Sequence, residues 1–225
     1  AAETGQTAED LFLYPIENVT LRNGETAWLP LFTENMPYRH IYTWTIPNFI
    51  EGPDSGRSSG TGENARQEEV WHSCRLTNSL DMPLTTAPAE FITGGAFTGQ
   101  DTCYYTGPGA ETTIRINLAL NVQARQSEAE IQRTVDALED RSVRYDQVRL
   151  KGELELRNRL EESVTVEIKK HLSGNVLSSV PEAKDVITAE GLKSLNPSHV
   201  LTWEVEVAPE ATQSITYEFT VLVRR

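Results

Sequence analysis

From residue 145 onward the chain alternates between apolar and polar positions. Leu150, Leu154 and Leu156 fall on one face, and Lys151, Glu153, Glu155 and Arg157 on the other. Val164, Val166 and Ile168 repeat the pattern after a turn at 158–162. Leu201, Trp203, Val205 and Val207 continue it, then Ile215, Tyr217, Phe219, Val221 and Val223, with turns at 173–175 and 209–211. A period of two puts one face on a core and the other in water, as in half-buried antiparallel strands. Between them, residues 179–197 read as a long irregular connection.

The first half is broken into shorter pieces. Residues 11–16 and 19–21 are strand-like, Arg22-Asn23-Gly24-Glu25 is a hairpin turn signal, and 27–32 answers as the returning strand. Pro30 confines that strand to an edge, because proline cannot donate to a ladder. Residues 38–47 form a strand rich in aromatic and β-branched residues, with Tyr38, Tyr42 and Trp44 on one face. Residues 51–67 are glycine, serine and charge with nothing apolar to fold them down, and read as a mobile loop. In 69–76, Val70, His72, Cys74 and Leu76 share a face; strands follow at 89–93 and 97–105, with a turn at 107–109. Residues 112–123 alternate again, with Ile114, Ile116, Leu118, Leu120 and Val122 inward.

At 124–145 the period changes. Ser127 and Glu130 form a capping box, and Ile131, Val135 and Leu138 recur at helical spacing, predicting a short helix over 127–139, although Thr134 and Val135 also suit a strand. The predicted fold is all-β: two antiparallel β-sandwich-like modules of immunoglobulin or fibronectin type, 11–123 and 146–225, joined by this connector. A flexible polar tail occupies 1–10.

Composition narrows the function classes. A chain of 225 residues has room for one large or two small domains, and 38% hydrophobic residues imply thin two-layer packing. A net charge of −13 repels phosphate backbones and anionic lipid heads, so nucleic acid is not an expected partner. No apolar run approaches the roughly 18–20 residues that span a bilayer, so direct membrane insertion is not expected either. No charged-then-apolar leader opens the sequence, which fits an exported chain whose signal peptide has been removed.

Residue patterns that carry chemistry are few and scattered. Cys74 and Cys103 fit either one disulfide or two buried thiols. His40, His72, His171 and His199 are scattered, and no Gly-x-Ser-x-Gly supplies a nucleophile elbow. His72 and Cys74 are two ligands without a partner pair, too few for zinc. Glu153 with Glu155 and Glu204 with Glu206 are carboxylate pairs on wet strand faces. Asp54, Glu63 and Asn64 lack calcium-loop spacing. The sequon Asn18-Val19-Thr20 lies in a strand candidate. No catalytic residue, cofactor or metal is expected.

KGELELRNRLEESVTVEI and LTWEVEVAPEATQSITYEFTVLV resemble the carboxy-terminal region of bacterial mucoidy inhibitor-like proteins, a domain of unknown function. LTNSLDMPLTTAPAEF and the patterns at 104–106 and 112–117 extend the resemblance from about residue 11 onward, and the family's amino-terminal coiled coil has no counterpart in the sequence. The resemblance implies an exported, non-catalytic protein and supplies no site residues. The expected function is therefore a non-enzymatic β-sandwich module, periplasmic or secreted, that binds or scaffolds a protein or glycan of the cell envelope. The alternative is a carbohydrate-binding module using aromatics among Trp28, Tyr38, Tyr42, Trp44 and Trp71.

Overall fold

In a computed structural model, residues 6–8, 11–48, 66–188 and 194–225 are described. Every regular element among them is a strand. In chain order these are β1 (Gln6–Ala8), β2 (Leu11–Leu13), β3 (Tyr38–Ile46), β4 (Arg66–Glu68) and β5 (Trp71–Thr77). Next come β6 (Ala87–Thr93), β7 (Ala96–Cys103), β8 (Glu111–Leu118), β9 (Val122–Asp140) and β10 (Val143–Asn158). The last are β11 (Val164–Ser173), β12 (Asn175–Val180), β13 (Lys184–Ile187), β14 (Ser198–Val207) and β15 (Thr212–Arg224). The expected mobile loop at 51–67 lies outside the described residues up to residue 65; its last two positions begin β4.

Two compact units divide the chain discontinuously. The first is Ala1–His40 with Ser73–Asn117, and the second is Ile41–His72 with Leu118–Arg225. The division therefore does not fall at a connector over 124–145. Both β3 and β5 contribute residues to each unit.

The second unit is a two-layer sandwich. One sheet has the order β12-β15-β10-β9-β4, with β10 paired antiparallel to β15 from Tyr145↔Arg224 to Arg157↔Thr212. The facing sheet runs β13-β14-β11-β3, with β5 beyond β3; β11 is antiparallel to β14 and parallel to β3. The alternation read from the sequence aims Leu154, Leu156, Ile215, Tyr217 and Phe219 from one sheet into a shared core. Trp44, Ile46, Val166, Ile168, Leu201 and Trp203 enter it from the other. At roughly 1.5–3 kcal/mol per fully buried large apolar side chain, this cluster outweighs any single polar contact in the unit.

Residues 127–139 form no helix. They belong to β9, which makes a long hairpin with β10 through Arg141 and Ser142, at φ 48° and 67°, the left-handed pair that two-residue hairpin turns need. Two irregularities explain the helix-like spacing. Ile131 is an extra residue between Gln132↔Arg149 and Glu130↔Leu150, and residues 135–137 bulge between Thr134↔Gln147 and Leu138↔Tyr145. The one-residue insertion at Ile131 shifts the phase of a period-two strand, and the second takes Val135 and its two neighbours out of the ladder opposite the single residue Asp146. Other boundaries move as well. The expected strand at 112–123 is two strands, β8 and β9, and Leu118 and Leu120 between their buried parts are exposed. The connection expected at 179–197 includes β13.

In the first unit β5 neighbours β8, while β6 and β7 make a hairpin from Ala87↔Cys103 to Thr93↔Ala96. A Cβ on Gly99 would fall on the Ile116 carbonyl, so only glycine lets β7 approach β8 this closely.

One arrangement occurs in both units. Asn78, after β5, donates from Nδ2 to the carbonyls of Met82 and Thr106 (both 2.9 Å) and accepts at Oδ1 from Leu80 N–H (3.1 Å). Asn158, ending β10, donates from Nδ2 to Glu162 O (2.8 Å) and Val207 O (3.2 Å) and accepts from Leu160 N–H (2.9 Å). Asn78 N–H donates to Ala110 O, and Asn158 N–H to Ala211 O. Each alanine closes a proline turn, 107–110 and 208–211, with Gly109 and Glu210 both at positive φ. The Leu84↔Thr106 bridge holds the place of the Val164↔Val207 pair. The chain thus folds the same strand–asparagine turn–proline turn–strand arrangement twice.

Candidate functional site

A polar cluster of the second unit lies inside its sandwich. The inward phase of β11 is Val164, Val166, Ile168, Lys170 and Leu172, so a lysine occupies a core position and is 1% exposed. Ile46 and Leu201 flank it in register on β3 and β14. Its Nζ lies 3.1 Å from Glu128 Oε1 on β9, in the opposite sheet, and donates to Pro47 O at 3.3 Å.

Glu128, Gly152 and Tyr217 stand in one row across β9, β10 and β15. A Cβ on Gly152 would sit 2.1–2.5 Å from the Tyr217 ring carbons. The glycine therefore lets the ring lie across β10, and the phenol donates to Glu128 Oε1 at 2.5 Å. Gln126 Nε2 donates to the same oxygen at 3.0 Å and to Tyr217 Oη at 3.2 Å. Burial first, and Glu128 second, push the Tyr217 phenol well above its ordinary value and keep it a proton donor. An ammonium, a phenol and an amide thus converge on one carboxylate oxygen. Gln126 Oε1 is buried without a hydrogen-bond partner. Enclosure of Lys170 and Tyr217 directs this chemistry at the protein itself.

A second polar pair, one member buried and one exposed, sits toward the edge of the facing sheet. His199 on β14 is buried, and its Nδ1 lies 2.8 and 3.0 Å from the Asp185 carboxylate oxygens on β13. Sequence reading singled out none of Gln126, Glu128, Lys170, Asp185 or Tyr217 as polar partners. The available signal was a lysine in the apolar phase of a strand.

The residues singled out by sequence do not assemble. Cys74 and Cys103 are free thiols, so the disulfide considered for them is not formed; Cys74 is buried on β5 and Cys103 half-buried at the end of β7. Burial pushes both thiols up, away from the reactive thiolate. The aromatic face of β3 does not make one stacking platform. Trp44 is 1% exposed with its indole N–H unpartnered, Tyr42 is half-buried and stacks on His72 at 5.1 Å, and Tyr38 is exposed. A strand face that runs into the core cannot present all three rings to a sugar. Glu153, Glu155, Glu204 and Glu206 point outward and are exposed. Asp54, Glu63 and Asn64 lie outside the described residues.

Among the described residues, more large apolar side chains are exposed in the first unit than in the second. Residues 15–31 are exposed throughout and belong to no strand, so the expected hairpin ladder at 11–32 is reduced to β2 and the turn, closed by Glu25 N–H on Arg22 O. Asn18, at φ 58°, lies in this exposed segment and not in a strand. The segment is fixed at its base, where Tyr14 packs on Phe12 and Phe32 and donates to Pro83 O at 3.1 Å. Beyond the base Ile16, Val19, Leu21, Leu29 and Leu31 meet solvent, and Trp28 is 96% exposed. Pro15 and Pro30 withdraw donors from the two limbs, a physical reason for the missing ladder.

No family model, curated protein or solved structure matches this chain.

Proposed function

We propose that the chain is a non-enzymatic binding or scaffolding module of the bacterial cell envelope, exported, and that the arm at 15–31 is its contact element. The observation that carries this is the arm: six exposed large apolar side chains, Ile16, Val19, Leu21, Trp28, Leu29 and Leu31, on a segment anchored at its base and outside every ladder. Exposed apolar surface of this kind marks interaction sites, and an extended segment brings its own backbone groups to a partner. The all-β layers and the net charge of −13 suit a soluble display scaffold. The resemblance to mucoidy inhibitor-like proteins adds the envelope, and the repeated arrangement in the two units favours immunoglobulin-like modules.

A protein partner is the first reading, since aliphatic residues outnumber aromatic ones along the arm. Trp28 supports the carbohydrate-binding alternative, because an exposed indole is a stacking surface for a sugar ring. Affinity capture from native envelope extract, run with the wild type beside a Trp28→Ala, Leu21→Ser variant, tests the proposal. The wild type recovers a reproducible partner that the variant loses. Equal recovery by both, or none by either, would count against it. Tryptophan quenching relieved by envelope glycan would favour the sugar reading.

A further inference from the structure

The buried cluster of the second unit carries chemistry that a binding role does not use. We propose that Lys170 and Glu128 condense into an intramolecular isopeptide bond that ties β11 to β9 across the sandwich core. This inference is independent of the arm and its partner.

Geometry is the first argument. Lys170 Nζ and Glu128 Oε1 are 3.1 Å apart, on strands of opposite sheets, with the amine enclosed among Ile46, Ile168, Leu172 and Leu201. Holding two reactants in contact converts condensation from a bimolecular into a unimolecular step, and exclusion of water protects an amide once formed. The second argument is the arrangement around the carboxylate. Tyr217 Oη–H and Gln126 Nε2–H both donate to Oε1, where negative charge develops when an amine adds to the carbonyl carbon. The third is the cost of burying charge. Lys170 is 1% exposed and Glu128 largely enclosed, and taking two charges out of water carries a penalty for each ion that their mutual attraction must repay. Condensation removes both charges from the core.

The step balances without a co-reactant. A proton passes from the Lys170 ammonium to the Glu128 carboxylate, leaving an amine and a carboxylic acid. The amine lone pair forms the N–Cδ bond, and Oε1 carries the charge against Tyr217 and Gln126. Oε2 then departs as water with a proton from nitrogen, and the C–O bond breaks. Nothing is oxidised or reduced. The nitrogen keeps one hydrogen, and Pro47 O is placed to accept it. Oε1 becomes the amide oxygen and retains both donors.

The test is the intact mass of the natively purified full chain after unfolding, with peptide mapping. The bond makes the chain lighter by one water and yields a branched peptide joining β9 to β11 at Glu128 and Lys170, resistant to tryptic cleavage after Lys170. Lys170→Arg and Glu128→Ala return to the sequence mass. Wild-type protein at its sequence mass, with Lys170 labelled by an amine reagent once unfolded, overturns the proposal. So does a water loss that maps to any other pair. The wild-type map decides the matter even if neither variant folds.

Discussion

Tyr217 reaches across its sheet because its neighbour on β10 has no side chain. A methyl on Gly152 would meet the ring at 2.1–2.5 Å, so Gly152→Ala forces the ring out of its place and Oη away from Glu128. Overpacking of this kind costs about 1–3 kcal/mol, read as a lower midpoint in urea unfolding. Tyr217→Phe keeps the ring and removes one donor; its expected loss is about 1–3 kcal/mol, the cost of leaving a buried polar group short of a partner. A Gly152→Ala midpoint equal to wild type would mean that the ring does not lie over Gly152. None of this was legible in the sequence. Tyr217 and Gly152 are 65 positions apart, and only the register of β10 against β15 brings them together. Lys170 was more nearly legible: it stands two residues after Ile168 and two before Leu172, in the phase that points inward. Its burial depends on a carboxylate from another strand, which alternation alone does not report.

At the scale of elements, the β9–β10 hairpin shows how a strand comes to resemble a helix. Its bulges displace Ile131 and Val135 from strict alternation, and the capping-box residues Ser127 and Glu130 sit in a ladder. Asp146 holds the second bulge. Its carboxylate accepts from Asp136 N–H at 3.1 Å and from Arg133 Nη1 at 3.2 Å. The backbone N–H of Asp136 first, then Arg133 and Arg225, hold this carboxyl below its ordinary value of 3.8. The folded value is depressed, so the stabilisation is fully present above the unfolded value and is lost as pH falls through the folded one. Protection of the Asp136 amide, relative to a free amide at the same pH, should therefore persist from neutral pH through the ordinary aspartate range and be lost only below it. Loss of protection already at pH 5 to 6 would contradict this assignment, an interval chosen about one to two units above that range.

The asparagine turns are the second element-scale prediction. Asn78→Ala and Asn158→Ala each orphan buried carbonyls, at about 1–3 kcal/mol per unsatisfied group. Serine or aspartate should not rescue either, because a hydroxyl has one donor where the amide Nδ2 serves two carbonyls, and an ionised carboxylate has none. Full stability of Asn158→Ala in thermal unfolding would show that the turn does not need its side chain. Strand and turn signals at 158–162, 173–175 and 209–211 were readable because turn chemistry is local. The equivalence of Asn78 with Asn158, and of Pro108 with Pro209, was not. Few identities surround either pair, and the match lies in hydrogen bonds.

For the whole molecule, sequence periodicity supports an all-β protein and the order of its later strands, while the discontinuous units follow from long-range pairing that no local pattern encodes. The arm is built of residues that favour strands, and local propensity alone predicts a strand pair there. It lacks a ladder, and its apolar side chains are left in solvent. In the proposed function that exposure serves a partner. The most direct test is a photo-crosslinking residue placed at Trp28 of the full chain in native envelopes, with Lys151, on an outward strand face, as control. One reproducible adduct is expected from position 28 that position 151 does not give. No adduct at 28, or the same products from both positions, would contradict it.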